Sequence, residues 1–149
     1  MSWGVVMSIP DRVKTDYVVI HCSDTPPTMD IGAKEIRQWH TSPDKNDLSK
    51  PWADIGYHFV IRRNGQVEAG RKQNQVGSHV RGFNSSSIGI CMVGGRGGNN
   101  FTGEQFDTLK HMVAELAKEY PDVEFVGHRD LNAGKECPSF SVSEWMSSL

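Results

Sequence analysis

The sequence lacks a dominant charge, a long apolar run and a workable set of cysteines, and each shortage removes a class of function. Sixteen Lys and Arg against eighteen Asp and Glu leave a formal net charge of −2 over 149 residues. That balance supplies no broad basic field for gripping nucleic acid. No stretch approaches the roughly 18 consecutive apolar residues of a membrane span, so no membrane partner is expected. The opening "MSWGVVMSIPDRVK" has no basic n-region, and Gly4, Ser8 and Pro10 interrupt it before Asp11. It does not read as a secretion signal, and the chain is expected to begin in a cytoplasm. Cys22, Cys91 and Cys137 are an odd count, which in a reducing compartment argues against a disulfide framework. Each is either a small buried residue or a chemical one. Repeats, linkers and low-complexity segments are absent as well.

What is there reads as one domain, long enough to bury roughly two thirds of its unfolded surface. "DYVVIHCS" is apolar on both faces, the pattern of a central strand. Alternation sets Val19 and His21 on one face and Ile20 and Cys22 on the other. A helix is expected over about 31–41 with Asp30 as N-cap, followed by a polar loop, "TSPDKNDLSKPWAD". "GYHFVIRRNGQVEAG" predicts a hairpin with a type I′ turn at Asn64-Gly65, Tyr57, Phe59 and Ile61 facing one way and His58 and Val60 the other. "SIGICMVGG" is a second buried strand. Thr102 to Gln105 forms a capping box for an amphipathic helix through Phe106, Leu109, Val113, Leu116 and Tyr120, stopped by Pro121. "VEFVGH" is a short strand delivering His128, and a last helix starts at Ser141. Interleaved strands and helices predict a single α/β domain with a central mixed sheet flanked by helices over 15–149, preceded by an N-terminal arm over 1–14.

The stretch "GHRDLNAGKECPSF" holds His128, Lys135 and Cys137 in one loop. "HRDL" copies a protein-kinase catalytic loop, but position 135 holds Lys where that motif needs Asn, and no Gly-rich loop or DFG is present. "GK" half-copies a phosphate loop, but Glu136 stands where Ser or Thr should bind magnesium. Two chemistries remain open. His128 and Cys137 form a zinc-type pair, with His21 at the end of its strand as the best third ligand. Alternatively, Cys137 or Cys22 is a thiol nucleophile with a histidine base, although neither opens a helix that would lower its pKa.

The motifs "VVIHCS", "DIGYHFVIRRNGQVEAGR", "VGSHVRGFNSSSIGICMVGG" and "GHRDLNAGKECPSF" resemble, in order, those of the type 2 N-acetylmuramoyl-L-alanine amidases. Among these the small phage endolysins and the peptidoglycan recognition proteins are the nearest in wording, and the likeness runs from about 18 to 140. It implies the amidase/peptidoglycan recognition protein-like fold and one zinc held by His21, His128 and Cys137. It also implies Tyr57 and Lys135 as catalytic residues, and a muropeptide groove lined by His79, Asn84 and His40. The reaction implied is hydrolysis of the amide joining the lactyl group of N-acetylmuramic acid to L-alanine of the stem peptide. Tyr57, with an ordinary pKa near 10, is expected to position the attacking water or hold the oxyanion rather than act as a standing base. Lys135 would present a cation to that oxyanion.

Three settings follow from the resemblance. A phage endolysin would wait in the host cytoplasm until lysis and then reach the wall. A recycling amidase would stay inside and act on soluble muropeptides. A binding-only relative would have lost the cysteine ligand, which is present here as Cys137. The compact length favours the endolysin, acting as a monomer on peptidoglycan. Some phage relatives also bind a polymerase through the N-terminal arm, and Trp3 and Val5 leave that partner open.

Overall fold

The computed structural model describes residues 8–149; Trp3 and Val5, the basis of the polymerase expectation, lie outside that range. Five strands, β1 (Tyr17–Cys22), β2 (Phe59–Ile61), β3 (Val67–Ala69), β4 (Ser87–Met92) and β5 (Glu124–Gly127), form one sheet in the order β3-β2-β4-β1-β5. β1 runs parallel to both β4 and β5. β2 is parallel to β4 and antiparallel to β3. A strand apolar on both faces has to be interior, and β1 is. Among the described residues four α-helices accompany the sheet: α1 (Ala33–His40), α2 (Gly103–Glu119), α3 (His128–Leu131) and α4 (Val142–Ser147).

The α2 start forms as its sequence dictates. Thr102 Oγ1 accepts from the Gln105 N–H at 3.1 Å, and Gln105 Oε1 accepts from the Thr102 N–H at 2.9 Å. The stripe Leu109, Val113 and Leu116 then packs with Val18, Ile20, Ile88, Ile90 and Met92. A second core holds Ile31, Ala33 and Ile36 against Ile55, Val60, Cys91 and Val93. His21 is in register with Cys91, and Cys91 with Val60. His21 therefore shares its sheet face with this second core.

Three local expectations are corrected. The α1 N-cap is Gly32, not Asp30. Carboxylates from elsewhere do the capping: Glu35 accepts from the Gly32 N–H and Glu68 of β3 from the Ala33 N–H, each at 2.8 Å. Asp30 instead meets Arg62 at 3.4 Å. The hairpin turn is not type I′, because Gly65 alone, at φ 87°, is left-handed there. The Gly65 N–H bonds the Arg62 carbonyl and the Arg62 N–H bonds the Gln66 carbonyl, both at 2.8 Å. That is a three-residue loop closed by a glycine bulge, which spares Asn64 a positive φ.

The third correction concerns Tyr57, which packs with Val60 on the α1 side, while Phe59 packs on the α2 side. Strand alternation does not reach back past His58. The His58 N–H donates to the Gly89 carbonyl at 3.0 Å, and its Nδ1 accepts from the Gly89 N–H at 3.0 Å. Its Nε2 donates to the Gln75 carbonyl at 2.7 Å. A side chain clasping the neighbouring strand bends the backbone and puts Tyr57 on the face that carries His21.

This histidine also makes a pH prediction. Burial holds His58 down at about 4 from the ordinary 6.5. The unfolded chain therefore binds a proton between pH 6.5 and 4 that the folded chain refuses. Stability is complete above about pH 6.5 and should fall by about 3 kcal/mol as pH drops to about 4. Urea midpoints measured across that range check it; a flat profile would contradict it.

Candidate active site

The carboxyl ends of parallel strands are where open α/β sheets gather their chemistry, and two of the expected ligands emerge there. His21 is the penultimate residue of β1, and His128 follows β5 as the first residue of α3. Cys137 arrives from the loop after α3. That loop is tied down by the Arg129 N–H on the Cys137 carbonyl at 2.8 Å and by Ser139 Oγ on the Gly95 carbonyl at 2.9 Å. One donor atom from each of His21, His128 and Cys137 lies within 4.8 Å of the others.

The donor atoms point inward because their opposite ends are occupied. His21 Nδ1 stands 3.7 Å from Cys137 Sγ, while His21 Nε2 is bonded to His79 Nδ1 at 2.8 Å. His128 Nε2 bonds Asn132 Oδ1 at 3.0 Å, leaving its Nδ1 for the cluster. The Cys137 sulfur receives the Cys22 N–H at 3.2 Å, a contact suited to a thiolate. Burial, followed by the neighbouring histidines, holds His21 well below its ordinary range. Burial, with a smaller push from Lys135, lowers His128 against the opposing Asn132 bond. Both imidazoles are thus neutral at pH 7, the form a metal requires.

The donor set suits zinc in its chemistry, and the His21–Cys137 separation suits it in geometry. Nitrogen at about 2.1 Å and sulfur at about 2.3 Å on a tetrahedral zinc stand about 3.6 Å apart, against the 3.7 Å found here. Outer hydrogen bonds to the far side of each ligand imidazole are the usual mark of a metal centre.

The cluster sits in an open cleft of about 1180 Å³ that also reaches Tyr57, Lys135, His40, His79 and Asn84. The Tyr57 ring lies 5.1 Å from His21, and burial pushes its hydroxyl well above the ordinary range, keeping it a neutral donor. Lys135 is exposed on the cleft rim and has no ion-pair partner among the described residues. Asn84 Oδ1 accepts from the N–H groups of His79 and Val80 at 2.7 and 2.8 Å, so it shapes the cleft wall. His40 Nδ1 accepts from the Gly56 N–H at 2.9 Å, and its ring packs on Trp52 at 4.6 Å. The long loop after α1 thereby returns to the cleft. The Cys22 thiol lies at the edge of the cluster, hydrogen-bonded to the Cys137 side chain and 3.9 Å from Ser139 Oγ.

Sequence reasoning missed Asn132, Ser87 and Arg71. Asn132 was within reach: it stands four residues after His128, the spacing that brings side chains together on a helical turn. Ser87 meets His79 Nε2 at 3.1 Å, with no local pattern to announce it. Arg71 is buried and donates to the carbonyls of Ile55 and Val76 at 2.8 and 2.9 Å, tying together two segments that flank the cleft.

Comparison with known proteins bears on the family and the fold. The family described as N-acetylmuramoyl-L-alanine amidase matches residues 11–140. The endolysin of Klebsiella phage KP32 is 47% identical over 139 residues, spanning 90% of this chain and 87% of that one. The amidase LysC of Clostridium intestinale URNW superposes with a TM-score of 0.80 at 24% identity, covering 99% of this chain and 93% of the other, a likeness of fold. A Drosophila PGRP-LB variant in complex with tracheal cytotoxin superposes with a TM-score of 0.76 at 26% identity, covering 95% and 86%.

Proposed function

The chain belongs to the N-acetylmuramoyl-L-alanine amidase family, and on that premise we propose that His21, His128 and Cys137 hold one zinc ion beside which the lactyl–L-alanine amide of peptidoglycan is cut. The observation that carries this is the triangle of three inward-facing donor atoms, each ligand imidazole fixed from behind. Bound zinc would supply a Lewis acid that lowers the pKa of water and draws charge onto the amide oxygen.

The remaining work falls to the chain. Tyr57, neutral and beside His21, donates a hydrogen bond to the attacking water or to the developing oxyanion. Lys135 brings its ammonium to the same oxygen from the cleft rim. Asn84 and His40 form the walls against which the muropeptide lies. A cysteine-hydrolase mechanism would need one of the two imidazoles beside Cys137 free as a base, whereas in this reading both serve as ligands.

The setting that fits best is a phage endolysin, held in the host cytoplasm until lysis and then acting as a monomer on the wall. Support comes from the similarity to the phage KP32 endolysin across most of both chains. The test is digestion of purified peptidoglycan. An amidase releases stem peptides with a free L-alanine N-terminus and generates no new reducing sugar ends. Reducing ends, or tight binding without any release, would overturn the proposal.

A further inference from the structure

His79 borders the cleft but is nine-tenths buried at 8% exposure, its ring set against His21. Two glycines make room for its ring: a Cβ on Gly77 would stand 2.6 Å from it, and one on Gly89 2.7 Å. Both ring nitrogens are engaged, Nδ1 with His21 Nε2 at 2.8 Å and Nε2 with Ser87 Oγ at 3.1 Å. Ser87 Oγ also lies 2.7 Å from the Phe83 carbonyl.

The direction of these bonds is fixed from one end. A carbonyl only accepts, so the single Ser87 hydroxyl proton goes to Phe83. Ser87 Oγ must then accept, and His79 Nε2 must carry the proton that it accepts. His79 is buried and pairs with no carboxylate among the described residues, so a second ring proton would leave an unpaired buried charge; Nδ1 of the neutral ring keeps a lone pair and accepts from His21 Nε2–H. His21 is left with an unprotonated Nδ1, the atom facing Cys137 Sγ.

We infer that His79 is a positioning residue: with Ser87 and the Phe83 carbonyl it locks His21 in the Nε2–H tautomer, aiming the Nδ1 lone pair into the metal site. The inference rests on the proposed zinc site for its purpose, but the tautomer stands on hydrogen-bond polarity and the burial of His79. It also assigns His79 a task other than contacting the muropeptide, because no ring nitrogen remains for that.

The test has two readouts. Long-range nitrogen–proton NMR on the zinc-free protein should show His21 protonated at Nε2 and bare at Nδ1. Chelator competition should show zinc affinity falling 10–100-fold in His79→Leu, the usual cost of losing an outer hydrogen-bond partner of a ligand. His79→Asn, whose side-chain oxygen can accept near the Nδ1 position, should stay within a few-fold of wild type. Ser87→Ala keeps the ring and removes only the acceptor at Nε2. It should bring out the second His21 tautomer and lower zinc affinity less than His79→Leu, which keeps the test decisive if that variant misfolds. A His21 Nδ1–H signal in the wild type would overturn the inference. So would unchanged affinity in folded His79→Leu, or equal damage in His79→Asn. Failure of the wild-type chain to bind zinc would overturn the proposed function instead, and the tautomer spectrum would still decide the relay.

Discussion

Cys137→Ser is expected to lose most bound zinc and nearly all turnover, while Cys22→Ser keeps both. A serine hydroxyl does not ionise near pH 7, so the change removes the one anionic ligand and leaves two imidazoles to hold a dication. The loss should exceed the 10–100-fold typical of an outer-shell partner. Cys22 is adjacent in space but differently used. Its backbone N–H meets the Cys137 sulfur and survives substitution, and a serine hydroxyl can take over the thiol's hydrogen bond to that sulfur. Its thiol faces Ser139 Oγ at 3.9 Å, where a hydroxyl fits in less space. Metal content by elemental analysis and rates on purified muropeptide check the pair. A zinc-loaded, active Cys137→Ser, or an inactive Cys22→Ser, would mean that the wrong cysteine has been assigned.

Tyr57→Phe and Lys135→Ala are each expected to lower kcat by about a hundredfold or more, the range for removing an oxyanion donor, about 2.7–4 kcal/mol. Neither side chain belongs to the donor triangle, so zinc content and fold should be unchanged. In the proposed mechanism both act on the tetrahedral state rather than on bound substrate. kcat and kcat/KM should therefore fall together with substrate affinity nearly constant. The double variant should lose less than the product of the two, since both groups serve one transition state. Steady-state kinetics with direct binding measurements separate the possibilities. Weakened binding at unchanged kcat would move the residue from catalysis to the groove.

The sheet and the clustering of His21, His128 and Cys137 were legible in the sequence for different reasons. β1 announced itself because an interior strand must be apolar on both faces, and the resemblance picked out the histidine near its end. α2 was legible because its cap and its stripe are local. Local patterns failed where distant residues intervene. Asp30 lost the α1 cap to Glu68, thirty-eight positions away in sequence, and the bend at Tyr57 comes from His58 clasping Gly89 on another strand. The relay through His79 and Ser87 joins the loop before β4 to the start of β4 and was invisible for the same reason.

The central claim is tested most directly by the zinc dependence of amide cleavage. Protein stripped by a strong chelator and verified metal-free should release no stem peptide from purified peptidoglycan. Addition of one equivalent of zinc per chain should restore the rate, with bound metal saturating at that ratio. Full activity in the verified metal-free protein would contradict the account and return Cys137 to the role of nucleophile.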